Sequence, residues 1–411
     1  RIRAQTTVND WSVAIVEGAT HADLDETAIG KAREVFKNKF PDKAAEADEW
    51  DDVQFLNKAK ITVGGKITRT AILLLGKEES EHFLSPADPK IRWILKDANN
   101  IEKDYAIVSC PFLLAVDRIY RKIRNLKYRY IKDGSLFPDE IDQYEPYIIR
   151  EAINNCIAHQ DYARGGRINV VEMENEQLVF TNPGTFIPGS VEKVIRQDAP
   201  DEYYRNKFLA TAMFNLKMVD TMGGGIKKMF IYQKDRFFPL PEYDLSEERV
   251  KVTVTGKILN MDYARLLART PSLLLHDIIL LDKVQKNKEL TDAEEKYLKE
   301  RSFIEGEKPD LHISKKNGDI QELYREPEQN AEYLQNKPLD KQQYFDLILK
   351  NIGERRSMTR KDIDALLRNI MPDHLSDEQK KNRIMNLIQE LSRIGKITNK
   401  GSRFSPEWFL S

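Results

Sequence analysis

The chain has 411 residues, 41% of them hydrophobic, with 65 Lys and Arg against 66 Asp and Glu for a net charge of -1. That length allows two to four domains, and the balanced charge gives no global pointer to nucleic acid or membrane, although it can hide local polarity. No apolar run approaches the roughly 18 residues a bilayer-crossing helix needs, and Cys110 and Cys156, without CxxC or CxxH neighbours, exclude a zinc ribbon or disulfide framework and fit a reducing cytoplasm.

The chain begins at Arg1 without methionine, and RIRAQTTVND reads as the end of a strand, so a segment upstream is expected. DETAIGKAREVFKNKF has helical spacing at Ile29, Ala32, Val35 and Phe36, with Asp25 as cap. KITRTAILLLGK reads as a helix or a buried strand ended by Gly76. CPFLLAVDRIYRKIRNLKYRYI reads as one long amphipathic helix with a basic, solvated side. RINVVEMENEQLVFTNPG predicts two alternating strands around a polar turn. A Pro- and Gly-rich loop follows, then helices, then a strand in which Val250, Val252 and Val254 alternate with polar residues. Helix, strands, helices and strand in this order predict an α+β sandwich.

Within YIIREAINNCIAHQDY, the residues Ile148, Ile149, Ala152, Ile153, Cys156 and Ile157 share one side of a helix. Glu151, Asn155 and His159 form a separate polar stripe. Glycines then gather in NPGTF and in MGGGIKKM, where bare backbone N–H groups at a helix start can approach an anion. Neither VGGKIT nor LLGKEE has the spacing of a P-loop, so a helicase motor is unsupported.

The ordered set, a helical E-x-x-x-N, a strand ending N-x-G and a glycine cluster opening a helix, resembles the GHKL nucleotide-binding fold of gyrase, mismatch-repair ATPases and sensor histidine kinases. REAINNCIAHQDY, FTNPGTF, RNKFLATAMF and DTMGGGIKKM together resemble the divergent GHKL-type (HATPase-like) domain of a bacterial RecG-like family of transcriptional regulators. In that family the domain follows a Schlafen AlbA-type DNA-binding domain and precedes winged helices. The resemblance implies ATP and Mg²⁺ as ligands. It implies Glu151 as the residue that activates water, Asn155 as the Mg²⁺ ligand, and Asn182 at the adenine-reading position. Gly184 falls on the first glycine of that box, and Gly223, Gly224 and Gly225 on the phosphate-binding box. Two positions depart from the pattern: Asn182 replaces a carboxylate, a stronger acceptor, and Phe186 replaces a second glycine. The enzyme expected is at most a weak Mg-dependent ATPase. His159 and Asp161 are expected to serve structure, the histidine suiting a helix C-terminus.

Both C-terminal stretches read as helix, turn, helix and strand pair. Between Ser272 and Lys315 there are eight basic and ten acidic residues, which predicts packing or dimerisation rather than a grip on DNA. Between Gln379 and Phe404 seven basic residues face one acidic residue, the footprint expected for phosphate contact. Lys380, Lys381, Arg383, Lys400 and Arg403 are the candidate contacts to double-stranded DNA, with base-reading and phosphate-anchoring members not separable. A palindromic target would imply a homodimer.

The expected architecture is therefore α+β and multidomain: 1–126, the end of an AlbA-like domain and a connecting region; 127–260, a GHKL-like α/β sandwich; 261–338, a first winged-helix-like domain and linker; 339–411, a C-terminal winged helix. The expected function is a cytoplasmic, DNA-binding transcriptional regulator that senses ATP. A weak ATPase in DNA repair or phage defence, and a catalytically dead scaffold with protein-binding winged helices, are the alternatives.

Overall fold

The computed structural model describes residues 10–131, 138–174, 176–196, 204–219, 224–314, 341–368, 377–401 and 406–411. Two compact units divide between residues 317 and 318. No described helix is long and apolar enough to cross a membrane.

The first unit opens with α1 (Glu26–Lys39), α2 (Ala44–Glu49), α3 (Asp52–Lys58) and α4 (Arg69–Leu75). Asp25 caps α1, its Oδ1 accepting from the Ala28 amide at 2.8 Å. Thr68 caps α4 in the same way, accepting from Ala71. The stretch left open as helix or strand is thus helical, and Thr70 to Leu75 are buried on every side. Gly76 ends it where a Cβ would lie 2.4 Å from the Ile72 carbonyl oxygen.

Next come β1 (Ile91–Lys96), β2 (Glu102–Val108) and α5 (Phe112–Lys122). The helix expected to run on to Ile131 stops at Lys122, and β3 (Lys127–Ile131) pairs antiparallel with β4 (Pro138–Asp142). Tertiary bonds override the helical spacing here. Arg124 reaches Glu172 at 2.8 Å and Glu174 at 2.9 Å. Asn125, at φ 40°, exchanges bonds with both backbone groups of Tyr144.

Then follow α6 (Pro146–His159), β5 (Ile168–Met173), β6 (Gln177–Pro183), α7 (Val191–Arg196), α8 (Lys207–Asn215), α9 (Gly225–Asp235), β7 (Glu242–Asp244) and β8 (Arg249–Thr255). The sheet order is β2-β1-β5-β6-β8-β7; β1 and β5 run parallel and the other neighbours antiparallel. The sheet therefore takes two strands from before residue 127, a segment assigned from sequence to the front domain. The fold class is mixed α+β, as expected. Ile148, Ile149, Ala152, Ile153, Cys156 and Ile157 of α6 bury themselves in one core with Val170, Leu178, Phe180, Val252 and Val254 of the sheet. Each Val, Leu, Ile and Phe side chain among them contributes about 1.5–3 kcal/mol. Burial pushes the Cys110 and Cys156 thiols up to about 12, so both are inert core residues.

A second core holds α10 (Met261–Arg269), α11 (Leu275–Gln285), α12 (Asp292–Glu300) and the pair β9 (Ile304–Glu305) and β10 (His312–Ile313). The expected helix, turn, helix and strand pair is present. The linker read from sequence beyond Ser314 lies outside the described residues.

The second unit contains α13 (Lys341–Arg355), β11 (Met358–Thr359), α14 (Arg360–Arg368), α15 (Asp377–Arg393), β12 (Ile397–Asn399) and β13 (Glu407–Leu410). Its antiparallel sheet has the order β11-β13-β12. Ile384, Leu387, Ile388 and Leu391 of α15 pack against Ile348, Ile352, Ile363 and Leu367 in a third core.

Candidate functional site

The apolar side of α6 is committed to the sheet, so its polar stripe faces the loops on the other flank. There Glu151, Asn155 and His159 line a cavity of about 1230 Å³, open mouth included. Phe186, Ile187 and Pro188 form one wall, Val250, Val252 and Tyr243 another, and Gly225, Ile226 and Met229 of α9 a third. The interior is mainly apolar, with a few converging polar groups.

Glu151 is 6% exposed, and its carboxylate lies against the first residue of α9. A Cβ on Gly225 would fall 1.5 Å from Glu151 Oε1, so a side chain there would have to displace the carboxylate. The partial positive charge of a helix start suits a carboxylate. Asn155 Nδ2 donates to the same oxygen at 3.2 Å. Asn182, at the end of β6 and 2% exposed, donates from Nδ2 to the Pro183 carbonyl at 3.1 Å. That leaves its Oδ1 as an acceptor without a bond to the described protein.

Other predicted residues stand apart from the cavity lining. Gly184 sits at φ 118°, a backbone conformation that favours glycine, and a Cβ there would also crowd Asp161, at 3.2 Å from its Cβ and 3.3 Å from its amide nitrogen. Gly224 caps α9 without lining the cavity. Gly223 lies outside the described residues. The structure thus joins Glu151, Asn155, Asn182 and Gly225, and places Gly184 in a supporting turn.

Asp161 pairs with Arg205 at 3.1 Å and with Arg164 at 3.2 Å. Arg205 also donates to the carbonyl and hydroxyl oxygens of Thr185, which clamps the loop before Phe186. His159 stacks on Tyr204 with ring centroids 5.4 Å apart and ring planes 13° from parallel. Burial, and then the charge of Arg205, push its pKa down to about 4, so the ring is neutral near pH 7. Burial and the nearby Glu151 charge push the Tyr243 phenol well up. Lys193 contributes a cation to the lining. Sequence reasoning missed Lys193, Tyr204, Arg205 and Tyr243, since each comes from a segment distant from α6. The glycines alone signalled that such segments converge.

The cation expectation concerns oxygen donors. Among the described residues no three His, Cys, Asp or Glu side chains form a metal cage. Asn155 and Glu151 offer one carboxamide and one carboxylate, a set suited to Mg²⁺, which completes its octahedron with water and phosphate oxygens.

In the second unit, Lys380, Lys381 and Arg383 lie on α15, and Lys400 follows β12. The Arg383 guanidinium sits over the Tyr344 ring at 5.6 Å, and Lys400 Nζ over Phe409 at 5.1 Å. Arg403 lies outside the described residues.

Residues 165–254 match a HATPase-like family model described as "Putative ATP-dependent DNA helicase recG C-terminal". The match takes in Asn182, Gly184 and Gly223 to Gly225, and begins after Glu151 and Asn155. Residues 1–87 match a model described as "Domain of unknown function (DUF8451)". The crystal structure of the DIP2311 protein from Corynebacterium diphtheriae is similar at a TM-score of 0.49 and 15% identity. The alignment covers 98% of this chain, and the chain spans only 64% of that protein. No curated protein matches.

Proposed function

We propose that the chain is a nucleotide-sensing, DNA-binding transcriptional regulator, with a GHKL-type pocket on α6 and a winged helix at its end. The observation that carries the first half is the meeting of Glu151, Asn155, Asn182 and Gly225 around one largely apolar cavity. Apolar walls suit a purine face, and the unbonded Asn182 Oδ1 suits an exocyclic amine, which favours ATP. Bound Mg²⁺ would supply the positive charge that lets a polyphosphate lie beside the Glu151 carboxylate. Asn155 would hold that ion through its Oδ1, since its Nδ2 already donates to Glu151.

The element order α13, β11, α14, α15, β12, β13 and the sheet order β11-β13-β12 support a winged helix, and the basic excess around α15 supports DNA as its partner. An AlbA-type origin for residues 1–126 belongs to the same proposal and rests on domain layout alone.

The test is thermal unfolding of the full chain with ATP, GTP, CTP and inorganic phosphate, each with and without Mg²⁺. A ligand of the native state stabilises by about 2.7 kcal/mol at a hundredfold excess over its Kd. Stabilisation by ATP with Mg²⁺ beyond that by GTP is expected. Equal midpoints under every condition would contradict the proposal.

A further inference from the structure

Helix α15 carries more than cations. Ile384, Leu387, Ile388 and Leu391 fix its core side. At 3.6 residues per turn the opposite side carries Gln379, Asn382, Asn386, Gln389 and Arg393, all exposed. A solvated helix face is ordinarily built from Lys, Glu and Arg, and Asn is a weaker helix former than any of these. Asn382, Asn386 and Gln389 make no side-chain hydrogen bond to the described protein, so neither capping nor packing accounts for them. Lys381 and Arg383 flank the stripe on opposite sides, and the Tyr344 ring supports the Arg383 guanidinium.

We propose that this carboxamide stripe reads base edges in the major groove of double-stranded DNA and that its target contains A·T pairs. The inference rests on the reading of this unit as a DNA-binding winged helix and adds which residues read and what they read. A carboxamide offers a donor and an acceptor side by side, which matches the N7 acceptor and N6 donor of adenine; guanine presents two acceptors there and suits Arg or Lys. A B-form major groove, about 12 Å wide, admits one helix. Lys381 and Arg383 then face the two phosphate backbones, which separates the anchors from the readers. Met385, 41% exposed beside the stripe, is placed for a thymine methyl group. A protein partner fits less well, because the stripe lacks the aromatic anchors on which such interfaces depend.

The experiment selects bound sequences from a randomised duplex pool with the full chain, then measures the selected and scrambled duplexes by fluorescence anisotropy across a salt series. Enrichment of A·T steps is expected. Asn386→Ala and Gln389→Ala should each cut the preference for the selected duplex by about tenfold with the salt slope unchanged. Lys381→Ala and Arg383→Ala should weaken binding to both duplexes alike and lower the slope by about 0.9 each. Unchanged unfolding midpoints establish that the four variants fold. If carboxamide variants keep the full preference while charge variants lose affinity, the inference fails and the DNA-binding reading stands. If no duplex binds at low salt, or if only a protein or single strands bind, both fail.

Discussion

On α6, Glu151, Asn155 and His159 follow one another at every fourth residue. On α15, Asn382, Asn386, Gln389 and Arg393 do so at intervals of four, three and four. The rhythm is the same, but the α6 set is roofed by Thr185–Pro188, Tyr204 and the start of α9, whereas the α15 set faces water. The flanking loops leave Glu151 buried and Asn155 and His159 half-buried. Glu151 takes Asn155 and the helix start, and His159 takes Tyr204 and loses its charge. Such a set is pre-organised for a small ligand. In the exposed set, Asn382, Asn386 and Gln389 make no side-chain hydrogen bond to the described protein.

The contrast should be plainest in stability. Ile153→Ala, at a fully buried position on the sheet side of α6, is expected to cost about 2–5 kcal/mol in urea unfolding. Asn386→Ala on α15 should stay within about 0.5 kcal/mol. A cost for Asn386→Ala approaching that of Ile153→Ala would mean that the α15 face is covered rather than free.

Gly225→Ala sharpens the comparison, because it drives a methyl into the Glu151 carboxylate. A loss of about 1–3 kcal/mol is expected. Adding Glu151→Ala should recover part of it, so the double variant is more stable than the two single costs sum to. Strictly additive costs would show that the two residues do not touch.

The smallest effect concerns pH. His159 has a folded-state pKa near 4, below its ordinary 6.5, so the unfolded chain binds the extra proton between those values. Its contribution is fully present above about pH 6.5 and is lost as the pH falls toward 4. His159→Phe, which keeps an aromatic face for Tyr204, should flatten that part of the stability curve relative to wild type. Identical slopes for the two proteins would show that the ring is not held neutral.

Much of this was legible from local pattern. Asp25 as a cap, the alternation of Val250, Val252 and Val254, and the apolar side of α6 all follow from period and chemistry, and all appear as read. What failed was long-range. The helix read through to Ile131 gives way after Lys122 because Arg124 and Asn125 are drawn to Glu172, Glu174 and Tyr144, which no local window contains. At the site, Glu151 and Asn155 stood out as a polar stripe beside the apolar side of α6, and Asn182 came only from the resemblance to the GHKL fold. Gly184, read as a ligand contact, stands in a turn at φ 118° beside Asp161 and outside the cavity lining. Arg205, which fastens Asp161 to Thr185, gave no local signal at all.

The most direct test of the pocket is calorimetric titration of the full chain with ATP, with and without Mg²⁺, on wild type and Asn155→Ala. One-to-one binding that requires Mg²⁺ and weakens about tenfold or more in Asn155→Ala is predicted, since the substitution removes a neutral oxygen ligand and leaves the apolar walls intact. Binding of equal affinity in both proteins, or none in wild type at millimolar ATP, would contradict it.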